Sequence, residues 1–169
     1  MKKSLVLTGM MGAGKSTVGK MLSSNLKMKF IDIDEIIEGK EKISIKNIFS
    51  SKGEAYFREL EKEISLKYLK KEKLIISLGG GAFINPKIRS EVLNNCISFW
   101  LDVSIPVLAN RVGRSNKRPL IKNENLNENL HRIFLQRKNV YKLASYRINC
   151  DKINKKTIVS KIKKIYEKN

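Results

Sequence analysis

The sequence has few of the residues that cross-link a chain or bind metals. Its 169 residues include two cysteines, one histidine and three prolines, and only 7% are aromatic. Cys96 and Cys150 lie in apolar stretches and form neither a CxxC pair nor a metal-ligand spacing, so we expect buried free thiols in a reducing compartment. His131 has no second histidine or nearby cysteine to complete a metal site, and we expect no catalytic role for it.

Long hydrophobic runs are also missing. No apolar stretch approaches the ~20 residues that are needed to span a bilayer. The apolar residues Leu5 to Leu7 are followed by Gly9, so this run is too short for a secretory signal, whose apolar region has roughly 7–15 residues. The pattern predicts a buried strand here, a cytoplasmic protein and no membrane partner.

Acidic residues are scarce relative to basic ones. The chain has 16 acidic and 35 basic residues, which gives a formal net charge of +19. The lysines are spread along the whole chain, and no arginine cluster has the interleaved aromatic residues that an RNA-binding surface uses for stacking. We therefore expect a basic surface and no nucleic-acid partner. The alternative, an RNA-binding or switch protein that uses nucleotide, would retain RNA or heparin at ~0.5 M salt, where purely electrostatic contacts fade.

Short apolar runs alternate with longer helical patterns, which is typical of βαβ units around a parallel sheet. We therefore predict an α/β protein, with a single three-layer domain over residues 1–169. The predicted strands are Ser4–Thr8, Lys29–Asp32, Leu74–Ser77, Ser98–Leu101 and Tyr146–Asn149. The predicted helices are Lys15–Leu26, Ala55–Lys71, Pro86–Leu93, Ile105–Arg111, Asn127–Ala144 and Lys155–Tyr166.

Two stretches fit this alternation less well. Residues 33–58 place helical pieces after the second predicted strand, where a direct return to the sheet would be expected. Residues 113–125 are polar, basic and poor in apolar anchors, which predicts a mobile surface loop. Long loops inside compact domains are often lids or binding loops.

The first predicted strand leads into a glycine-rich loop. The segment from Gly9 to Thr17 reads GMMGAGKST and matches GxxxxGK[ST] between a buried strand and a helix start. Glycines let backbone N–H groups converge on phosphate oxygens, and the helix start adds its positive dipole end. We expect Lys15 to reach the β- and γ-phosphates and the Ser16 hydroxyl to bind Mg²⁺. The residues predicted to bind ATP or GTP are Met11, Gly12, Ala13, Gly14, Lys15, Ser16 and Thr17.

Two carboxylates follow the second predicted strand. Asp32 and Asp34 would face the same side if the extended chain persists that far, because alternate residues of a strand share a face. One carboxylate could then serve the metal while the other meets an acceptor hydroxyl. The alternative is a helix N-cap at Asp34.

Arginines and glycines mark the rest of the chain. Arg58 lies among helix-forming residues, and Gly79–Gly81 end a buried strand, where they allow the close approach of a ligand. Arg118 lies with other cations in the suspected lid, and Arg137 lies on the helix predicted after it. Each of these has an ordinary surface-charge explanation alone, but that explanation does not account for all of them together in this order.

In this order the motifs resemble the shikimate kinase family over nearly the whole chain. The matching segments are the glycine loop, Asp32-x-Asp34, Gly53-Glu54-x-x-Phe57-Arg58-x-x-Glu61, Gly79-Gly80-Gly81, Arg118-Pro119-Leu120 and Arg137-x-x-x-Tyr141. The resemblance implies a P-loop, nucleoside-monophosphate-kinase-like fold with a five-stranded parallel sheet. It also implies a shikimate-binding region at residues 33–60 and a mobile lid at residues 113–125.

The resemblance further implies an activity. ATP would phosphorylate the 3-hydroxyl of shikimate with the help of Mg²⁺, giving ADP and shikimate 3-phosphate on the route to chorismate and the aromatic amino acids. We also expect the protein to be a monomer.

The roles implied by the resemblance suit the chemistry of a small carboxylate ring with three hydroxyls. Arg58 and Arg137 would bind the carboxylate through their guanidinium forks. The glycine segment, residues Gly79, Gly80 and Gly81, would offer backbone N–H groups. Asp34 would accept hydrogen bonds from the ring hydroxyls and the proton of the attacking one. The apolar face of the ring would be walled by Phe49 and Phe57.

On the nucleotide side, Lys15 and Arg118 would neutralise charge on the transferring phosphoryl group. Ser16 would bind Mg²⁺ directly and Asp32 would act in its outer shell, while Arg111 would stack on adenine. A kinase for gluconate or a nucleoside monophosphate is the nearest alternative, because gluconate also offers a carboxylate and hydroxyls. The glycine triplet together with Asp32-x-Asp34 favours shikimate.

Overall fold

A computed structural model describes residues 3–113 and 125–169 of the chain. Its centre is a five-stranded parallel sheet in the order β2-β3-β1-β4-β5. The strands are β1 Ser4–Thr8, β2 Lys29–Asp32, β3 Leu74–Ser77, β4 Cys96–Asp102 and β5 Tyr146–Asn149. All five predicted strands are confirmed, and only β4 is longer than predicted.

The central strand shows why these short runs form strands. Every residue of β1 is buried, since helices cover both faces of the sheet and leave no exposed side that would favour alternating polar residues. Leu5 pairs with Ile75 of β3 on one side and with Ile97 of β4 on the other. Because β2 and β3 lie on one side of β1 and β4 and β5 on the other, a crevice opens at the carboxyl end of β1, where ligands bind in such sheets.

Helices connect the strands. They are α1 Lys15–Leu26, α2 Ile33–Glu41, α3 Ile45–Leu69, α4 Pro86–Asn95, α5 Ile105–Gly113, α6 Leu126–Tyr141 and α7 Lys155–Tyr166, with a short 3₁₀ turn at Ala82–Ile84. The helix predicted from Ala55 corresponds to the part of α3 that follows a kink at Gly53, and the part before the kink falls among the helical pieces predicted within residues 33–58. The helical segment begins at Ile45 and kinks at Gly53, whose φ of 81° and ψ of 168° are open to glycine because it has no Cβ. Within the described residues, no helix is long and apolar enough to cross a membrane.

The end of β2 corrects two expectations about the paired aspartates. The extended chain stops at Asp32, and Asp34 lies in the first turn of α2, so the two do not share a face of a strand. The helix N-cap is also not Asp34. It is Asp32, whose Oδ1 accepts a hydrogen bond from the Asp34 backbone N at 3.1 Å. Asp32 caps the helix, and the strand does not continue to Asp34, because the Asp32 carboxylate satisfies a backbone donor that the start of α2 leaves unpaired.

The core lies between the sheet and its helices, with Trp100 and Tyr141 among its largest buried side chains. Cys96 and Cys150 are free and buried, as predicted. Burial raises the pKa of the Cys96 thiol to about 11 and that of the Cys150 thiol to about 12. His131 is exposed on α6, away from any cluster of metal ligands in the described part of the chain.

Candidate active site

The loop between β1 and α1 is shaped by glycines. Gly9 has a φ of 137°, and a Cβ there would lie 2.7 Å from the Leu101 carbonyl oxygen, so a side chain at this position would strike β4. Gly14 has a φ of 93° and is the N-cap of α1. The backbone can therefore curl tightly and lead directly into α1, whose first N–H groups have no partner within the helix.

Lys15 is folded back over this loop. Its Nζ donates to the carbonyl oxygens of Gly9 at 2.9 Å and Met10 at 3.0 Å, and the residue is only 7% exposed. The ammonium group is thus held beside the loop's own backbone. This placement fits a role on nucleotide phosphates, because a positive charge held in place needs little reorganisation when a phosphoryl group arrives.

Ser16 and Asp32 meet beside the loop. The Ser16 hydroxyl donates to Asp32 Oδ2 at 2.5 Å, while the other oxygen of the same carboxylate caps α2. Hydroxyl and carboxylate oxygens are the donors that Mg²⁺ prefers, and Mg²⁺ commonly takes one or two protein ligands plus phosphates and waters. The pair therefore fits this ion, although no three His, Cys, Asp or Glu side chains form a cluster within residues 3–113 and 125–169.

Arg111 reaches the same loop from α5. Its Nη1 donates to the Gly12 carbonyl oxygen at 3.2 Å, across 99 residues of sequence, and its side chain is exposed. Lys15 and Arg111 therefore both donate to carbonyl oxygens of this loop. Arg118 lies outside the described residues.

The glycine segment follows β3 and lies against groups from three helices. A Cβ on Gly79 would lie 2.4 Å from Glu61 Oε1 and 2.9 Å from Asp34 Oδ1, and a Cβ on Gly81 would lie 2.7 Å from Arg58 Nη1. A Cβ on Gly80 would lie 3.3 Å from the Met11 backbone N. Glycine is needed here because charged side chains approach the bare backbone closely.

Arg58 is held by two carboxylates of its own helix. Its Nη1 donates to Glu61 Oε2 at 2.8 Å, and its Nε and Nη2 each donate to Glu54 Oε1 at 3.2 Å. The guanidinium carbon lies 5.2 Å from the ring centre of Phe57 and 6.0 Å from that of Phe49, and the two rings are 4.7 Å apart. Arg58, which is predicted to bind the substrate carboxylate, therefore lies next to Phe49 and Phe57, which are predicted to cover the substrate ring.

Glu61 is the most unusual charged group in this region. It is only 2% exposed, and its Oε1 has no hydrogen-bond partner among the described residues. Burial raises the pKa of the Glu61 carboxyl, with Asp34 acting in the same direction and Arg58 opposing both. A buried carboxyl oxygen without a hydrogen-bond partner among the described residues therefore lies beside the Gly79 backbone.

Arg137 reaches the glycine segment from α6. Its Nη1 donates to the Gly80 carbonyl oxygen at 3.0 Å, and the hydroxyl of Tyr141, one helical turn later, donates to the same oxygen at 2.5 Å. The two arginines that were predicted to bind a carboxylate, from α3 and α6, therefore contact neighbouring glycines. The Gly80 side of this segment also adjoins the nucleotide loop.

Known proteins are similar to this chain in both sequence and fold. A model of the family described as Shikimate kinase matches residues 11–167. The chain belongs to the shikimate kinase family. It is 45% identical over 160 residues to the shikimate kinase of Sulfurihydrogenibium sp. (strain YO3AOP1), covering 95% of each chain. A shikimate kinase from Acinetobacter baumannii, solved in complex with shikimate, superposes with a TM-score of 0.95 at 29% identity, covering 100% of this chain and 95% of that one.

Membership of the shikimate kinase family confirms the predicted fold class and the predicted activity, phosphorylation of shikimate by an ATP-dependent kinase. Gluconate was the alternative acceptor. The structure of a gluconokinase from Sinorhizobium meliloti superposes on this chain with a TM-score of 0.60 at 16% identity, covering 98% of this chain and 94% of that one. This likeness reflects the shared fold alone.

Sequence reasoning quoted Glu61 and Tyr141 inside the shikimate kinase motifs but gave neither a role. The signal for Glu61 was present, since Arg58 and Glu61 are three residues apart on a helix, where side chains meet. No comparable signal exists for Tyr141, because its partner Gly80 is 61 residues away in sequence.

Proposed function

We propose that the crevice at the carboxyl end of β1 is where the γ-phosphate of ATP passes to the 3-hydroxyl of shikimate. The observation that carries this proposal is the position of the glycine segment. It lies beside Arg58 and Arg137, and Gly80 also adjoins the nucleotide loop at Met11. An acceptor carboxylate and a nucleotide phosphate would therefore bind next to the same stretch of backbone.

The nucleotide would be held by the loop and the start of α1. Backbone N–H groups of residues 11–17 and the dipole of α1 would bind the phosphates, and Lys15 would exchange its loop carbonyls for phosphate oxygens. Arg111, bonded to Gly12, would lie beside the adenine. The sequence alone assigns Arg118 to the transferring phosphoryl group.

Ser16 and Asp32 would hold Mg²⁺ between them and the phosphates. The hydroxyl of Ser16 would bind the ion directly, and Asp32 would accept hydrogen bonds from its waters. When bound, the ion would neutralise charge on the β- and γ-phosphate oxygens. Asp32 keeps its second oxygen on the backbone of α2, so the carboxylate is already oriented.

Shikimate would bind against α3 and α6. Its carboxylate would take N–H groups from Arg58 and Arg137, which match two carboxylate oxygens. Phe49 and Phe57 would cover the apolar face of the ring, and the glycine segment would supply backbone N–H groups. Asp34, which lies close to Gly79, would accept hydrogen bonds from the ring hydroxyls.

In the transfer step the 3-hydroxyl oxygen forms a bond to the γ-phosphorus as the bond from that phosphorus to the bridging oxygen of ADP breaks. The hydroxyl proton passes to Asp34, and the negative charge leaves with ADP. Lys15 stabilises this charge where it accumulates, which lowers the barrier more than it strengthens ground-state binding. Four further points stay predictions. They are the acceptor region at residues 33–60, the lid at residues 113–125, the monomeric state and the cytoplasmic location.

A coupled ADP-release assay with shikimate, gluconate and nucleoside monophosphates tests the acceptor. We expect ADP release that requires shikimate, ATP and Mg²⁺ together. ADP release at the same rate with gluconate, or with no acceptor, would overturn the proposal. A preparation of the Lys15→Ala variant serves as the control for contaminating ATPases.

A further inference from the structure

Tyr141 has no assigned role, yet it lies in the same cluster as the acceptor residues. It is fully buried on α6, and its ring stacks on Trp100 of β4 with centroids 5.9 Å apart. Its hydroxyl donates to the Gly80 carbonyl oxygen at 2.5 Å and lies 3.9 Å from Met10 Sδ. A hydroxyl has one hydrogen, and the carbonyl is the stronger and nearer acceptor.

The Gly80 carbonyl is therefore bonded twice from one helix. A carbonyl oxygen has two lone pairs, and here one accepts from Tyr141 and the other from Arg137 Nη1 at 3.0 Å. Glycine has the weakest conformational preference of any residue, so three glycines in a row do not hold a peptide plane in one orientation. The buried ring of Tyr141 is stacked on Trp100, so its hydroxyl is a fixed hydrogen-bond donor beside this flexible segment.

The orientation of this carbonyl determines two other groups. The Gly80–Gly81 peptide is trans, so its N–H points away from its C=O, and fixing the carbonyl toward α6 also fixes the direction of the Gly81 N–H. The carbonyl also holds one N–H of Arg137, while the guanidinium keeps its other donors for a carboxylate.

We infer that Tyr141 is a positioning residue for shikimate, acting through the Gly80–Gly81 peptide. Its hydroxyl sets the direction of that peptide, and the peptide sets both Arg137 and the Gly81 N–H toward the acceptor. Burial raises the pKa of the Tyr141 phenol, so the group stays an O–H donor across the working pH range. The inference rests on the proposed role of Arg137 in binding the substrate carboxylate.

The chain offers a matched control in Tyr166. This tyrosine is also fully buried, and its hydroxyl donates to a backbone carbonyl, that of Lys3, at 2.6 Å. Tyr141→Phe and Tyr166→Phe each remove one buried hydroxyl that bonds a carbonyl, and both keep the ring. Both variants should lose similar unfolding free energy, so stability alone does not separate a structural role from a positioning role.

Affinity does separate them. In calorimetric titrations we expect Tyr141→Phe to weaken shikimate binding about fivefold to tenfold, the effect of one hydrogen bond, while its ATP affinity changes less than about twofold. Steady-state kinetics should show the same rise in the KM for shikimate but not in that for ATP. Tyr166→Phe should change neither ligand.

Three outcomes would overturn the inference: an unchanged shikimate affinity in Tyr141→Phe, an equal loss for both ligands, or an equal loss in Tyr166→Phe. Wild-type protein that fails to phosphorylate shikimate would instead count against the proposed function. If either variant is partly unfolded, the titrations are repeated in sucrose, which favours the folded state without altering the hydroxyl comparison.

Discussion

The two halves of the active site are built in different ways. On the nucleotide side, Lys15 bonds to carbonyls five and six residues away, so loop and lysine form one local unit. On the acceptor side, Arg137 and Tyr141 meet Gly80 across 57 and 61 residues of sequence. The nucleotide half depends on one short loop, Gly9 to Thr17, whereas the acceptor half depends on three helices that pack around the flexible glycine segment. Damage to either half should therefore produce a distinct kinetic pattern.

The largest effect should come from the local half. Lys15→Ala should lower kcat by about 10²–10³-fold, because it removes a preorganised charge at the transferring phosphoryl group. Shikimate affinity should stay within about twofold, since Lys15 Nζ bonds to the Gly9 and Met10 carbonyl oxygens of the nucleotide loop. Lys20→Ala is the control, because Lys20 lies on α1 but is exposed and pairs with Glu35. A parallel loss of shikimate affinity in Lys15→Ala would show that the two halves are not separable.

A smaller effect should come from the distant half. Arg137→Ala should weaken shikimate binding by about 1.5–3 kcal/mol, the value of a charge-assisted hydrogen bond, and leave ATP binding nearly unchanged. Calorimetry with each ligand measures both affinities. Arg132→Ala, which removes an exposed arginine of the same helix, should change neither. Unchanged shikimate affinity in Arg137→Ala would refute the assigned contact.

The close packing of the glycine segment can be tested by adding one methyl group. Gly79→Ala would place a Cβ against Glu61 and Asp34, so we expect a loss of about 1–3 kcal/mol in unfolding free energy and weaker shikimate binding. Gly39→Ala on α2 meets no atom within 4 Å, and it should stabilise the protein by about 0.5–1 kcal/mol. Urea unfolding measures both. Equal tolerance of the two substitutions would mean that the segment is not tightly packed.

The smallest effect concerns pH and Glu61. Because burial raises the pKa of the Glu61 carboxyl in the folded protein, the folded state keeps this proton to higher pH than the unfolded chain does. The resulting stabilisation is complete below the ordinary pKa of 4.5 and is lost as pH rises through the folded value. Glu61→Gln cannot titrate and should lack this part of the pH dependence.

The measurement is the difference in unfolding free energy between wild type and Glu61→Gln from pH 4 to pH 8. We expect wild type to lose stability relative to the variant as pH rises. Glu63→Gln, at an exposed position of the same helix, provides the comparison for loss of a charge alone. A difference that grows in favour of wild type would mean that Arg58 outweighs burial at this carboxyl.

Local features of this protein were predictable because their causes are local. The five strands are short apolar runs, and their positions follow from the need to bury both faces of a parallel sheet. The loop from Gly9 to Thr17 was equally predictable, since its glycines and Lys15 act within one turn of chain. The N-cap of α2 was not, because the choice between Asp32 and Asp34 depends on where the helix begins after β2.

The sequence by itself determined the nucleotide loop, the α/β sheet and the kinase family, because each rests on local patterns or on the order of motifs along the chain. Only the tertiary structure decided which groups surround the glycine segment: the approach of Arg58, Glu61 and Asp34 to it, and the two bonds from α6 to the Gly80 carbonyl. A hydrogen bond across 61 residues leaves no periodic trace in the sequence. It exists because α6 packs against the 3₁₀ turn Ala82–Ile84, directly after the glycine segment, and that packing is a property of the whole core.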